Sequence, residues 1–263
     1  MADPTVPILD MRAVGKTYRA NGRTTEALRE ANLTVSRGEF VCLLGASGCG
    51  KSTLLRVAAG FEAPTSGQAL MWGKPIPGPG PSRGMVFQDY GLFPWLTVRD
   101  NIGFGPKSRK RPAAEVRETA ERYISLVGLQ AFADAYPHQL SGGMKQRVAI
   151  ARVLANEAEV VLMDEPFGAL DAMTRERLQD ELLELWSRTG LTILFVTHAI
   201  EEAIFLADRI VMMSPGPGRI EAVHEVDLPR RRDVSSPAFN DLRRMLAAQL
   251  HSHHAPRTAT VAA

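Results

Sequence analysis

The segment GASGCGKS at residues 45–52 constrains the fold of this chain most, because it specifies a strand, a loop and a helix in succession. It follows the apolar run FVCLL, which is typical of a buried strand, and it opens KSTLLRVAAG, which is typical of a short helix that stops at Gly60. Its glycines let the backbone wrap around a phosphate with N–H groups pointing inward, and the helix N-terminus adds positive potential. The segment therefore predicts a phosphate-binding loop.

The phosphate-binding loop fits the pattern G-x-x-x-x-G-K-[ST]. In this pattern Lys51 reaches the β- and γ-phosphates of a nucleotide, and Ser52 supplies a hydroxyl ligand for Mg²⁺. Cys49 occupies a free position, and we interpret it as a tolerated small residue rather than a redox handle. The expected nucleotide contacts are Gly45, Ala46, Ser47, Gly48, Cys49, Gly50, Lys51, Ser52 and Thr53.

Strand and helix patterns alternate along most of the chain, which predicts an α/β fold with a mainly parallel core sheet. Strand patterns near the N-terminus predict an antiparallel side sheet, and the helical patterns of 89–157 predict an inserted helical subdomain. We expect one domain over 1–263, with 7–88 and 158–226 as the core and 227–263 as a tail. The Pro/Gly-rich segment 77–84 predicts a loop, and 251–263 is expected to be disordered.

One helix of the expected subdomain is marked by an apolar face in PAAEVRETAERYISLVGL. The residues that share this face are Val116, Ala120, Tyr123, Ile124 and Val127. The segment DYGLFPWLTV at 89–98 is apolar without helical periodicity. It either forms a groove for a partner helix or packs the subdomain, and the sequence leaves both alternatives open.

Two acids end the apolar strand pattern VVLMDEP at 160–166. Ligands gather at the carboxyl ends of parallel strands, so both acids are candidates for a site there. We assign Asp164 to Mg²⁺ and Glu165 to the general base that orients or deprotonates an attacking water.

Two more polar residues follow apolar strand patterns in the same way. His198 ends LFVTH and is positioned to hydrogen-bond a γ-phosphate, while Gln88 ends GMVFQ, where its amide contacts Mg²⁺ or the attacking water. Taken singly, either residue is as well explained by an ordinary strand end. Together with Glu165 and Lys51 they form the predicted catalytic set.

The order of these motifs resembles that of the ATP-binding cassette (ABC) ATPases, the motor subunits of ABC transporters. The resemblance includes LSGGMKQ at 140–146 and ALD at 169–171, and it covers about residues 7–226. It implies a head-to-tail homodimer with two ATP molecules, each held between the phosphate loop of one subunit and the LSGG turn of the other. In this arrangement Ser141, Gly142, Gly143 and Gln146 contact the partner's nucleotide, Asp171 crosses the interface and Tyr18 stacks on adenine.

A narrower resemblance is carried by PGPGPSRGMVFQDYGLFPWLTVRDNIGFG, by SPGPGRI and by the PRRRD…SPAF tail. These segments look like importers of taurine, alkyl sulfonates or nitrate. The resemblance implies a peripheral subunit at the cytoplasmic face of the plasma membrane. It also implies two transmembrane permease subunits and, indirectly, an external solute-binding protein.

Composition limits the alternative functions. The net charge is +2, so no global field indicates nucleic acid as a partner. No run of about 18 apolar residues and no signal-peptide pattern is visible, and Cys42 and Cys49 favour a reducing compartment. We interpret the basic run at 230–232 as solvated.

Two other classes of function remain open at this point. A soluble ABC ATPase acting on ribosomes or DNA usually carries paired cassettes or long coiled-coil insertions, which this chain lacks. A nucleotide-binding regulator with little turnover does not need both Glu165 and His198, which are present.

Overall fold

Two β-sheets of different character organise the protein, whose computed structural model describes residues 6–20, 22–168 and 170–252. The strands of the smaller sheet are β1 (Leu9–Ala20), β2 (Arg23–Val35), β4 (Ser66–Met71) and β5 (Lys74–Pro75). This sheet is antiparallel, with strand order β2-β1-β4-β5. The predicted antiparallel side sheet is confirmed.

The larger sheet has six strands: β3 (Phe40–Leu44), β6 (Arg83–Val86), β7 (Val160–Asp164), β8 (Thr192–Thr197), β9 (Arg209–Met213) and β10 (Ile220–Glu225). Their order in the sheet is β10-β9-β3-β8-β7-β6. All neighbours are parallel except the β9–β10 pair. The carboxyl ends of the parallel strands therefore meet along one edge, as the sequence predicts.

Seven α-helices are present in the described ranges. They are α1 (Lys51–Ala59), α2 (Val98–Ser108), α3 (Ala113–Leu126), α4 (Gly142–Ala155), α5 (Ala172–Thr189), α6 (Ile200–Leu206) and α7 (Pro237–Ser252). Two short 3-10 helices lie at Gln130–Phe132 and Pro137–Gln139. No helix among the described residues is both long enough and apolar enough to span a membrane.

The core lies on both faces of the larger sheet, because successive side chains of a strand point to opposite sides. Val41 and Leu43 pack with α1 and the antiparallel sheet, whereas Phe40, Cys42 and Leu44 pack with the helices on the other side. All five β3 side chains are fully buried, as the apolar run predicts. The strand is therefore fixed on both faces, and it holds the phosphate loop that follows it.

The helical subdomain has its own apolar cluster, formed by α2, α3 and α4. Of the predicted α3 face, Ala120 and Ile124 are buried, as is Val127 directly after the helix, whereas Val116 and Tyr123 are half-buried. α2 was not predicted from the sequence. Its start is marked by Thr97, whose hydroxyl accepts a hydrogen bond from the Asp100 N–H at 3.1 Å.

Four boundaries differ from the sequence-based predictions. β6 already begins at Arg83, inside the predicted loop 77–84, because this segment pairs with Val160 and Val161 of β7. β6 ends at Val86 and β8 at Thr197, so Gln88 and His198 lie just beyond their strands. α7 continues to Ser252, into the segment expected to be disordered, and residues 253–263 lie outside the described residues.

The basic run at 230–232 is not solvated as a whole, which corrects the prediction. Arg232 is 6% exposed, and Arg230 forms an ion pair with Asp208 at 2.5 Å and lies 4.2 Å from the Trp186 ring centroid. Only Arg231 of the three is exposed. The first residues of the tail therefore bind to α6 and to the segment between α6 and the sheet.

Candidate nucleotide site

The phosphate loop connects β3 to α1 with the geometry that its glycines permit. Gly48 and Gly50 have φ of 77° and 93°, in the left-handed region that other residues avoid. At Gly50 a Cβ would also lie 2.7 Å from the carbonyl oxygen of Ala27, so a side chain would collide with β2. The conformation of the loop therefore requires glycine at both positions.

Lys51 is the first residue of α1 and is 5% exposed. Its Nζ donates to the carbonyl oxygens of Gly45 at 2.7 Å and Ala46 at 3.0 Å. The ammonium group thus lies inside the loop, bound to groups that an anion's oxygens would replace. Cys49 is fully buried beside it, and burial raises the pKa of its thiol, which supports the interpretation of Cys49 as a packing residue.

Ser52 and Asp164 form the second element of the site. The Ser52 hydroxyl donates to Asp164 Oδ1 at 2.8 Å and so joins the start of α1 to the end of β7. Burial raises the pKa of the Asp164 carboxyl, and the hydrogen bond from Ser52 opposes this shift. The pair therefore presents two adjacent oxygens, one of them on a carboxylate that is partly deprived of water.

Glu165 and His198 form the third element. Glu165 Oε2 and His198 Nδ1 are 3.0 Å apart, which joins the ends of β7 and β8. Glu165 has φ of 45°, a left-handed conformation that costs a non-glycine residue about 1–2 kcal/mol. Its N–H donates to the carbonyl oxygen of Val196 at 3.1 Å, which holds the backbone in this conformation. The strained turn directs the carboxylate toward His198 beyond the sheet edge.

Gln88 is exposed and lies near the same turn. A Cβ on Gly168 would be 3.4 Å from Gln88 Nε2, so the amide lies against the turn that follows Glu165. Within the described ranges Gln88 makes no hydrogen bond to Ser52 or Asp164. The structure therefore brings Gln88 close to the Glu165 turn without placing it at the Ser52–Asp164 pair.

Ser141 lies apart from the phosphate loop within the chain. It caps α4 by accepting a hydrogen bond from the Met144 N–H at 3.3 Å, and it is exposed. Gly142 is half-buried, and a Cβ there would be 3.2 Å from the Tyr90 hydroxyl. Among the described residues Ser141 has no hydrogen bond to residues 45–53. The N-terminus of α4 is thus open to solvent and available to an anion from another molecule.

Asp171 caps α5 in the same manner, accepting from the Thr174 N–H at 3.0 Å, and this hydrogen bond lowers the pKa of its carboxyl. Tyr18 is half-buried on β1, and the Lys16 ammonium lies 5.1 Å from its ring centroid. Ala169 of the ALD motif lies outside the described residues. Asp171 is exposed, whereas the Lys16 ammonium lies over the Tyr18 ring.

Gln146 does not lie where the predicted nucleotide contact requires it. Its side chain is fully buried, five residues into α4 after the exposed Ser141. Five helical residues correspond to a rotation of about 140°, which turns the side chain away from the face that carries Ser141. We therefore leave Gln146 out of the proposed nucleotide site.

A buried polar residue on the helix that follows His198 was not predicted from the sequence. Glu202 on α6 is 7% exposed and accepts a hydrogen bond from Gln179 Nε2 on α5 at 3.0 Å. Burial raises the pKa of the Glu202 carboxyl. The signal available in the sequence was that Glu202 lies on the apolar face of the helical pattern AIEEAIFLAD. This contact joins the helix after His198 to the helix after Asp171.

The fold and this edge define a phosphate-loop protein of the nucleotide-binding class. The family profile described as ABC transporter matches residues 28–168. The nitrate import ATP-binding protein of Synechococcus elongatus is 49% identical over 243 residues, 89% of this chain and 88% of that protein. The taurine import ATP-binding protein of Roseobacter denitrificans is 50% identical over 200 residues, 76% of this chain and 75% of that protein.

A solved ATP-binding cassette, described as a dimer in a post-hydrolysis state bound to ADP and Pi, has the same fold. It superposes with a TM-score of 0.72 at 33% identity and covers 83% of this chain and 98% of that chain. The chain belongs to the ABC transporter family, whose ATP-binding subunits are ATPases. The predicted family, fold class and enzyme class are confirmed.

Proposed function

We propose that the chain is the ATP-hydrolysing subunit of an importer and works as a head-to-tail homodimer that binds two ATP molecules. One observation carries the proposal: the Ser52–Asp164 and Glu165–His198 pairs lie side by side at one sheet edge, directly beyond the phosphate loop. A phosphate-binding group, a pair of oxygen ligands and a base with a partner are the components that hydrolysis of a γ-phosphate requires.

Mg²⁺ fits the residues at this edge. Oxygen ligands suit Mg²⁺, which is usually bound by one or two protein groups together with substrate phosphates. Ser52 Oγ and Asp164 Oδ1 are adjacent oxygens, and a cation would relieve the cost of ionising the partly buried carboxylate. We therefore assign Ser52 and Asp164 to Mg²⁺, which supplies neutralisation of phosphate charge when bound. Gln88 is proposed as a residue that moves to this site when a γ-phosphate is present.

The hydrolytic roles follow from the positions of the side chains. Lys51 exchanges its bonds to the Gly45 and Ala46 carbonyl oxygens for bonds to the β- and γ-phosphates. Glu165 orients and deprotonates the attacking water, and His198 holds the Glu165 carboxylate and contacts the γ-phosphate. Two chain segments that follow neighbouring strands thus position the base.

The second half of each site comes from the partner subunit. Within one chain the exposed N-terminus of α4 has no hydrogen bond to residues 45–53 among the described residues, so an intramolecular role at the nucleotide is unsupported. In a head-to-tail dimer Ser141, Gly142 and Gly143 bind the γ-phosphate held by the other subunit. Asp171 lies at the crossing point, and Tyr18 stacks on adenine. The dimeric solved cassette supports this assembly.

An aromatic surface supports docking to a permease. Trp95 is 71% exposed and Phe104 is 42% exposed, and both rings lie beside Phe93, at centroid distances of 5.7 Å and 4.4 Å. Large exposed aromatic groups mark interaction sites. We assign this cluster, in the segment between Gln88 and α2 and on α2 itself, to a cytoplasmic helix of a transmembrane permease pair. We propose on this basis that the subunit lies at the cytoplasmic face of the plasma membrane.

The transported solute is proposed to be a small anion such as nitrate, taurine or another sulfonate. The support is the identity of 49–50% to ATP-binding proteins of nitrate and taurine import. An external solute-binding protein is the expected third component.

Co-purification tests the function. The tagged chain is expressed together with its neighbouring genes, and the complex is reconstituted in proteoliposomes. We expect two hydrophobic permease subunits and ATP-driven uptake of nitrate or a sulfonate when the solute-binding protein is added. Co-purification with ribosomes or DNA, without a permease, would contradict the proposal and favour a non-transport ATPase.

A further inference from the structure

A cavity of about 240 Å³ lies between the helical subdomain and the core, at a different place from the nucleotide site. One wall comes from the end of α3, Val127 and Gly128 and from α4. The other wall comes from α5 and Phe167. Most of the residues that line it thus belong to α4 and α5, the helices that begin with the Ser141 and Asp171 caps.

Four buried polar atoms of this lining have no hydrogen-bond partner among the described residues. They are Gln146 Nε2, Gln146 Oε1, Arg147 Nε and Glu181 Oε2. Gln146 is fully buried, so bulk water does not satisfy its amide. Arg147 Nε and Glu181 Oε2 are 3.6 Å apart, too far for a hydrogen bond. An unsatisfied buried polar group costs about 1–3 kcal/mol, so two donors and two acceptors in one cavity indicate a polar occupant.

Away from these polar atoms and from the charged rim, the lining is apolar. Phe167, Leu178 and Leu182 are buried and pack in the main core cluster, and Ile150 lies beside them. An apolar cavity of about 150 Å³ accommodates benzene, so this cavity has room for a six-membered ring with one polar substituent. The occupant therefore combines an apolar body with a small hydrogen-bonding group.

The charges of the lining select a neutral occupant. Arg147 on the α4 wall opposes a cation, and Glu181 on the facing α5 wall opposes an anion. The Gln146 amide offers a donor nitrogen and an acceptor oxygen. A planar carboxamide complements both, because its own oxygen accepts from the nitrogen and its own N–H donates to the oxygen. The rim includes Gly128, Glu184 and Arg188, all exposed, so the cavity has a route to solvent.

We propose that this cavity is a binding site for small neutral molecules that carry a carboxamide on an apolar ring. The amide group bonds to Gln146 and to the Arg147–Glu181 pair, and the ring packs on Phe167, Leu178 and Leu182. Such an occupant contacts the helical subdomain and the core at once. The site does not depend on the proposed transport function, since none of its contacts involves the nucleotide residues.

The test uses benzamide as the probe, with benzoate and toluene as controls of similar shape. Methyl NMR of the full chain without nucleotide follows the Ile150 signal, because Ile150 lines the cavity. We expect benzamide to shift this signal saturably, with a dissociation constant of about 1 mM or below. Benzoate and toluene are expected to bind at least about tenfold more weakly, since each lacks part of the neutral amide.

Two variants decide whether the polar atoms are responsible. Gln146→Met removes both amide atoms at similar volume and is expected to weaken benzamide binding about tenfold or more. Gln130→Met, at an exposed glutamine of the same subdomain, is the matched control and is expected to leave binding unchanged. If Gln146→Met does not fold, Glu181→Met on the other wall is measured instead. It is likewise expected to weaken benzamide binding about tenfold or more.

The proposal is overturned by any of three results: no saturable shift of Ile150, which would mean that water satisfies these polar atoms; equal binding of toluene and benzamide; or unchanged binding in Gln146→Met.

Discussion

His198 Nδ1 lies 3.0 Å from Glu165 Oε2 and joins the residues that follow two neighbouring parallel strands. The contact depends on Glu165, whose left-handed backbone, at φ of 45°, turns its carboxylate toward His198 beyond the sheet edge. A conformation that costs about 1–2 kcal/mol persists only where the surroundings hold it, and such strain clusters at functional sites. The pair therefore forms the centre of the proposed hydrolytic machinery.

Replacing Glu165 tests its role as the base. Glu165→Gln keeps the size and the hydrogen bond to His198 but removes the proton acceptor, so turnover is expected to fall about 100-fold or more. ATP binding is expected to remain intact, because the phosphates are held by the loop and Lys51. Steady-state hydrolysis and equilibrium ATP binding measure the two effects.

Glu118→Gln, at an exposed acid of α3, is the control and is expected to hydrolyse ATP at the wild-type rate. Near wild-type turnover in Glu165→Gln would show that Glu165 is not the base.

Glu202 gives the protein a pH-dependent stability term. Its raised pKa means that the native state retains the proton to higher pH than the unfolded state does, for which the ordinary value is 4.5. The stability that protonated Glu202 contributes is thus fully present below pH 4.5 and is lost as the pH rises through its raised pKa. Glu202→Gln avoids this ionisation, so its melting temperature relative to wild type is expected to increase between pH 4.5 and pH 8.

The neighbouring residue supplies the control for this pH series. Glu201 is exposed and pairs with Arg243 at the surface, so Glu201→Gln is expected to show little change with pH. Melting curves of the three proteins across the pH range are compared. A Glu202→Gln difference that does not vary with pH would refute the assignment.

Arg232 is expected to stabilise the start of the tail. Its guanidinium donates to the carbonyl oxygens of Leu228, Ile204, Phe205, Ala207 and Val226. Burial lowers its pKa to about 10, and the charge is compensated by these carbonyl groups, several of which lie at the end of α6. Arg232→Ala leaves them without their donor and is expected to cost about 3 kcal/mol of unfolding free energy.

Denaturant unfolding measures this loss. Arg231→Ala, one residue away and exposed, is expected to change stability by no more than about 0.5 kcal/mol. Equal effects of the two substitutions would contradict the structural role of Arg232.

The sequence predicted those parts of the site that are set by local geometry. Lys51 and Ser52 begin α1, Asp164 ends β7, and Glu165 and His198 follow β7 and β8. The parallel sheet alone therefore brings them to one edge. Tertiary packing decided the rest. The helical period placed Gln146 inside the protein rather than beside Ser141.

Other residues depended on contacts distant in sequence. Glu202 meets Gln179 across two helices, and Arg232 meets carbonyl groups up to 28 residues away. Such partners have no signature in a local sequence pattern, so the buried charge of Arg232 was predicted to be solvated. The nucleotide edge was therefore more predictable than the polar groups that support it.

The central claim is that Ser141 of each subunit completes the nucleotide site of the other. The most direct measurement is the ATP-dependent dimerisation of Glu165→Gln, followed by sedimentation, compared with Glu165→Gln carrying Ser141→Arg. The account predicts that Glu165→Gln dimerises with ATP and Mg²⁺, whereas the double variant stays monomeric although it binds ATP equally well. His138→Arg, at an exposed residue close to Ser141, serves as the control and leaves dimerisation unchanged. A double variant that dimerises as readily as Glu165→Gln alone would contradict the account.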